Sequence, residues 1–349
     1  MKRFRTAEPE VIAPNEPTPL VTVVPVIGIA EAVEVQREHT RLIGARLQTG
    51  ALVPTGGAGL TSRDDNVAPP CVGGRENAAG AVESLADRIR VYCDSGTDDR
   101  NDPQAKPYIQ QIIDNGFTMA KIDIDNAADP ARFDRVNRTA NNTEIDHMVD
   151  RVAFMRESLP KSIELAVDMH GRYHLPTAKR VAKELEPFKL VWLEEPVPPE
   201  NIDAMRDVRQ STHTPICAGE NIYMRWGFRE IFEKQALDII MPDIQKCGGL
   251  MEGKKIADLA QTYYVPIAPH SQASPVGAMA TAQMLATVPN FLFVEWHWSH
   301  PAQRWERWKH FVKEGDIIQK GYITVPDKPG IGVTMDEEYL KKNGSTWFS

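Results

Sequence analysis

Polar residues recur about every 25 residues along this chain, each directly after a short apolar run. Asp168 follows Ala166-Val167, Glu194 follows Val191-Trp192-Leu193 and Glu220 follows Cys217-Ala218-Gly219. Asp243 follows Ile240-Met241-Pro242, His270 follows Ala268-Pro269 and Glu295 follows Phe293-Val294. Lys121, after Met119-Ala120, extends the series upstream. The spacing is roughly that of one strand plus its return helix. Eight strands, each followed by helical or loop sequence, predict an α/β fold, a parallel (β/α)₈ TIM-like barrel. In such a barrel the strand-end residues surround one mouth, where barrel enzymes hold their sites.

The strands are read at Arg88–Tyr92, Thr118–Ile124, Glu164–Val167, Leu190–Leu193, Ile216–Ala218, Ile239–Met241, Pro266–Ala268 and Phe291–Val294. Helical patterns lie between them, at Tyr108–Asn115 (stopped by Gly116), Thr177–Glu186, Ile202–Ser211 and Glu252–Tyr263. Residues 1–86 differ in texture. They are crowded with proline and glycine, with one strand expected at Val21–Ile29 and one helix at Ala30–Leu47. Three parts follow: an N-terminal region 1–86, a barrel 87–320 and a C-terminal segment 321–349. The last carries a strand at Gly321–Val325 and is expected to pack back on the N-terminal region. The Asn/Asp/Arg-rich connection Asp125–Thr143 is long enough to be an excursion on the catalytic face.

Composition removes several classes. A net charge of −8 with no basic stripe argues against nucleic acid as partner. The longest apolar stretch, Leu20–Ala30, is broken by Pro25 and Gly28 and is too short for a membrane span. The basic start Met1–Arg5 runs into Glu8 and Glu10, unlike a signal peptide. Cys71, Cys93, Cys217 and Cys247 are scattered and show no C-x-x-C spacing, which fits reduced thiols and a cytoplasmic location.

Asp168, Glu194 and Glu220 stand on consecutive strands. Converging carboxylates repel unless a cation sits between them, and all-oxygen donors favour a hard ion, Mg²⁺ first. Each could instead cap the helix that follows it. Asp243 and His270 lie on adjacent strands, close enough for the carboxylate to hold one imidazole nitrogen and aim the other, as in a general base; a satisfied core histidine is the plainer alternative. His170, two residues past Asp168, is expected on the same side of the extended chain. His174 reads as a surface residue, and Lys121 alone as a lysine snorkelling from a strand end.

As a set, these residues resemble the enolase superfamily in its mandelate racemase/muconate lactonizing branch. The resemblance rests on Ala166-Val167-Asp168-Met169-His170-Gly171-Arg172, Trp192-Leu193-Glu194-Glu195-Pro196, Ala218-Gly219-Glu220-Asn221, Met241-Pro242-Asp243, Gly248-Gly249, Ala268-Pro269-His270 and Pro329-Gly330-Ile331-Gly332-Val333. It implies an N-terminal α+β capping domain, completed by the C-terminal segment and here reduced, since residues 1–86 are shorter and less ordered in pattern than that domain usually is. It implies Mg²⁺ held by Asp168, Glu194 (in preference to Glu195) and Glu220, an Asp243–His270 dyad, and Glu295 as the eighth-strand acid. The Asp-x-His-Gly-Arg form is similar to that of galactonate- and gluconate-type sugar-acid dehydratases, where the histidine matching His170 is a second acid/base. Racemases of the branch more often carry Lys-x-Lys where this chain has Lys121-Ile122-Asp123, which leaves Lys121 a substrate- or ligand-contacting role.

The implied reaction is Mg²⁺-dependent dehydration of a sugar acid. His270 takes the C2 proton, Glu295 hydrogen-bonds the resulting enediolate carboxylate, and His170 protonates the leaving 3-hydroxyl. The product is a 2-keto-3-deoxy acid. The alternatives are a racemase or epimerase of a 2-hydroxy acid on the same scaffold and a non-catalytic barrel with a degraded cap. The expected partners are a small-molecule sugar acid and further copies of the chain in a homo-oligomer.

Overall fold

The computed structural model describes residues 76–77, 80–95, 99–125, 138–297, 306 and 308–343. The strand expected at Val21–Ile29, the helix at Ala30–Leu47 and residues 126–137 of the expected excursion lie outside them. Glu76–Asn77 and Gly80–Glu83 pair as a short antiparallel hairpin.

From Arg88 the chain alternates strand and helix. The barrel strands are β1 (Arg88–Ser95), β2 (Met119–Asp123), β3 (Glu164–Asp168), β4 (Leu193–Glu194), β5 (Ile216–Ala218), β6 (Ile239–Ile240), β7, which is a single bridging residue at Ile267, and β8 (Val294–His297). Strands β1 to β6 pair in sequence order, all parallel. Ile267 bridges Ile240 on one side and Phe291 on the other, and β8 returns to β1 with Asp94 opposite His297. The ring of pairings therefore closes. Between the strands run α1 (Ala105–Asp114), α2 (Asn142–Ser158), α3 (Leu175–Leu185), α4 (Ile202–Arg209), α5 (Met224–Glu233), α6 (Leu250–Thr262) and α7 (Pro275–Leu285).

Local chemistry sets the ends. Asn141 accepts from the Glu144 amide at 3.0 Å while Glu144 accepts from the Asn141 amide at 2.6 Å, a capping box that starts α2. Gly116 follows the end of α1 with φ +73°, a turn glycine adopts without steric cost. β7 shrinks to Ile267, short of the strand expected over Pro266–Ala268. It is flanked by Pro266 and Pro269, neither of which has an N–H for a ladder.

The strands are buried on both faces, and the two faces make two cores. One packs outward under the helices, from residues such as Val91, Ile122, Leu165, Val167 and Leu193. The other fills the barrel: Tyr92, Met119, Ala166, Trp192, Cys217, Ile239, Met241, Ala268 and Phe293. Tyr92 and Trp192 meet edge to face at 5.4 Å, and Phe293 joins each at 6.2 Å. These side chains pack the barrel interior as a plug. Beyond the barrel, β9 (Ile318–Gln319) and β10 (Tyr322–Thr324) form a hairpin whose second strand pairs antiparallel with Arg88–Arg90 of β1. A final helix α8 spans Glu337–Asn343. Among the described residues no helix is long and apolar enough to cross a membrane.

Candidate active site

Side chains two positions apart on a strand share a face, so the plug fixes what lies above it. Two residues past Tyr92, Met119, Ala166, Trp192, Met241, Ala268 and Phe293 stand Asp94, Lys121, Asp168, Glu194, Asp243, His270 and Glu295. All seven are buried. On β5 the equivalent position is Gly219, at φ +139°, where an added Cβ would meet the Phe228 ring at 3.0 Å. That bend brings the next residue, Glu220, to the mouth one step out of phase.

Lys121 anchors one side of the mouth. Its Nζ lies 2.7 Å from Glu194 Oε1, 2.8 Å from Glu295 Oε1 and 3.2 Å from Asp168 Oδ2. Burial alone would pull its proton affinity down, but the Glu194 and Glu295 charges outweigh this and hold it well above the usual lysine value. Lys121 is thus an ammonium tied to three carboxylates. One cation does not satisfy three anions: burial, then the Asp168 charge, push Glu194 well above the normal carboxylate range despite Lys121. Glu295, opposed in the same way by burial but facing Lys121 and His270, is held at about 2. Its Oε2 accepts from the Ser271 amide at 2.7 Å. Trp192 Nε1 donates to Glu194 Oε2 at 2.9 Å, which orients the carboxylate.

Two imidazoles flank this group, each held at Nδ1 by an aspartate. His270 Nδ1 is 2.8 Å from Asp243 Oδ2, and its Nε2 is 2.7 Å from Glu220 Oε2 and 3.6 Å from Glu295 Oε2. Asp243 is itself fixed by the Gln245 and Lys246 amides at 2.9 and 3.2 Å. His170 Nδ1 is 2.8 Å from Asp125 Oδ1, and its Nε2 is 3.6 Å from Asp168 Oδ2. Burial lowers the proton affinity of both rings, but for His270 the Glu295 charge and the Asp243 bond, and for His170 the Asp125 bond and the Asp168 charge, outweigh it. Both rest at about 10. His170 does not continue the strand alternation expected of it. It sits at φ +48°, with its amide bonded to Asp168 Oδ1 at 2.7 Å, and reaches Asp168 from a turn. His174 is exposed, as expected.

Asp168 and Glu194 face each other in register across β3–β4 and share Lys121, while Glu220 turns to His270 and is not gathered with them. The donor chemistry of these three fits a hard divalent ion, being all oxygen with more buried negative charge than Lys121 offsets. Among the described residues, two further groups bring carboxylate and imidazole ligand atoms within 4.8 Å of one another and are able to hold a metal: Asp94–Glu295–His297 and Asp123–Asp168–His170.

Several mouth residues are not among those singled out in the sequence. Asp123 and His297 each lie one alternation beyond a residue that is, Lys121 and Glu295. The same period-two count, carried one step further, reaches them. Asp94 was hidden because the first strand was expected to stop at Tyr92 and runs to Ser95. Burial and the nearby Asp94 and Asp168 charges raise Asp123 to about 8. Asp125 and Arg172 had no periodic signal; Arg172 Nη1 donates to the Asp125 carbonyl at 2.8 Å. Glu195 is buried, its Oε1 accepting from the Gly219 amide at 2.9 Å. It steadies the bend that presents Glu220.

Residues 105–339 match the enolase C-terminal domain-like family. The chain is 43% identical over 267 residues to a D-xylonate dehydratase of Haloferax volcanii, covering 75% of this chain and 64% of that protein. It is 35% identical over 206 residues to a D-galactonate dehydratase of Cronobacter sakazakii, covering 57% of this chain and 53% of that protein. The chain thus spans less than two thirds of the length of these curated relatives. A solved structure of a mandelate racemase/muconate lactonizing enzyme-like protein from Rubrobacter xylanophilus superposes with a TM-score of 0.68 at 42% identity, over 74% of this chain and 69% of that one.

Proposed function

The chain belongs to the enolase C-terminal domain-like family, and from that membership we propose that it dehydrates a sugar acid, an aldonate or aldarate, to a 2-keto-3-deoxy acid by removing the proton α to the carboxylate. The observation that carries the reading is the pair of aspartate-held imidazoles, His270–Asp243 and His170–Asp125, each at 2.8 Å, on either side of the carboxylate group. The dehydratases named among the relatives support the sugar-acid class.

Asp168, Glu194 and Glu220 would hold Mg²⁺. When bound, the ion supplies positive charge beside the substrate carboxylate, where negative charge grows as the proton leaves. The rest is work for the protein's own groups. Asp243 aims His270 Nε2 into the mouth, and His270 takes the C2 proton. For this it must first be neutral, so the negative charge of Glu220 and Glu295 beside it has to be offset. His170, an imidazolium at neutral pH, is in the right state to give its proton to the departing 3-hydroxyl. Glu295 lies 3.6 Å from the base on the side of Lys121. It can accept a hydrogen bond from the substrate carboxyl group only while that group carries a proton, and Lys121 could donate to that group on releasing one of the three carboxylates it holds. Residues 87–320 form the catalytic body in this reading.

Screening an aldonate and aldarate library with Mg²⁺ for 2-keto acid release tests it. Release from at least one acid, abolished by chelator, is expected. C2 inversion with no keto acid would make the protein an epimerase, and no turnover on any acid would remove the enzymatic reading.

A further inference from the structure

We propose that Asp94 and His297 form a recognition pair for a distal hydroxyl of the substrate, and so help to decide which sugar acid is accepted; this rests on the dehydratase reading above. The two residues face each other in register where β1 and β8 close the barrel. His297 Nδ1 lies 2.6 Å from Asp94 Oδ2. The approach is off-line for a hydrogen bond, and both His297 Nδ1 and Asp94 Oδ1 are buried without a hydrogen-bond partner among the described residues. Asp94 is only 6% exposed. An unpaired acceptor buried to this degree is costly unless something completes it.

The surroundings say what that something is. The pair lies beside Glu295, with ligand atoms of all three residues within 4.8 Å. Both Glu295 oxygens are already taken, by Lys121 Nζ at 2.8 Å and by the Ser271 amide at 2.7 Å. What remains open is Asp94 Oδ1, which accepts only; beside it the His297 imidazole, its Nδ1 against Asp94 Oδ2, offers Nε2 as donor or acceptor according to its tautomer. A hydroxyl is donor and acceptor at once and matches both. Neither residue has a part in the proton transfers assigned to His270 and His170. Asp94 stands opposite Lys121 in register across β1–β2 and beside Asp123, whose Oδ1 lies 4.0 Å from His170 Nε2, so a sugar chain that continues past the C3 position served by His170 would present its further hydroxyls to the pair.

The test compares wild type with Asp94→Ala, Asp94→Asn, His297→Ala and His297→Gln, each checked for folding by circular dichroism. The substrates are five- and six-carbon aldonates and their monodeoxy analogues lacking one hydroxyl beyond C3, all with Mg²⁺. The alanine variants are expected to lose roughly ten- to a hundredfold in kcat/KM on the acid bearing the recognised hydroxyl, mostly through KM, and little on the analogue without it. Asn and Gln should restore part of the loss. Equal losses on every acid would overturn the pair's role in recognition while leaving the dehydratase reading intact. A second divalent ion per chain in wild type, absent from Asp94→Ala, would overturn it in favour of a metal site. Wild-type protein that neither dehydrates nor exchanges the C2 proton of any acid would remove the dehydratase reading and the pair with it.

Discussion

The two imidazoles at the mouth are alike in their bonds and unlike in their settings. Each has an aspartate at Nδ1 at 2.8 Å and a carboxylate of the expected metal set at Nε2. His270 is 4% exposed and continues a barrel strand's alternation, and its aspartate is pinned by two backbone amides. The His170 side chain is 45% exposed and stands on a left-handed turn, held by Asp125 at the edge of a long connection. Rigid burial suits a base that must abstract a weakly acidic proton in an excluded, preorganised site. Partial exposure suits an acid that must regain its proton from solvent after each turnover. The same pairing is thus built once from the barrel's core and once from its loops.

The largest effect should come from the buried side. His270→Asn is expected to lower the dehydration rate by about a thousandfold or more, the range for a general base, in a protein that still folds. A misfolded variant, judged by circular dichroism, would mark His270 as a core residue instead. Next, Glu220→Gln should lose Mg²⁺ affinity and turnover together in a protein that still folds, because the plug from Tyr92 to Phe293 makes no use of that side chain. Calorimetric Mg²⁺ titration checks this, and undiminished turnover in the variant with chelator present would end the metal-assisted account.

The aspartates sharpen the contrast. Asp243→Asn should cost on the order of a hundredfold, because it releases the orientation and charge of a buried base. Asp125→Asn should cost about tenfold, since His170 still faces Asp168 at 3.6 Å and is partly held by solvent. Equal losses in kcat/KM would mean that burial does not separate the two roles. The smallest effect is on stability. In metal-free protein both imidazoles titrate at about 10, above the unfolded value of roughly 6.5. A raised pKa stabilises the folded form fully below about pH 6.5, and the contribution is lost as pH rises through 10. Melting temperature should therefore fall across that window. His270→Asn should flatten the fall more than His170→Asn, whose exposure screens its partners.

The buried side was the legible one. Lys121, Asp168, Glu194, Asp243, His270 and Glu295 could be read from sequence because each ends a short apolar run, and the closed barrel turns that linear pattern into a ring. Glu220 was readable by spacing, although Gly219 is what brings it into place. The loop side was harder. His170 was found through its neighbour Asp168, but the reason offered, strand alternation, gave way to a turn at φ +48°. Asp125, which holds it, follows no period and is joined to it only by folding. Asp94 and His297 escaped for a plainer reason: β1 and β8 extend beyond the apolar runs that mark them, to Ser95 and His297. Hydrophobic periodicity reports where a strand is buried and falls silent over the polar residues with which it ends.

The division of roles is tested most directly by exchange of the substrate C2 proton with D₂O, followed by NMR, in His270→Asn and His170→Asn side by side on an acid that the wild type dehydrates. If His270 is the base and His170 the leaving-group acid, His270→Asn shows neither exchange nor keto acid, while His170→Asn loses keto acid release and keeps C2 exchange. Exchange surviving in His270→Asn and vanishing in His170→Asn would contradict the account and reverse the two roles.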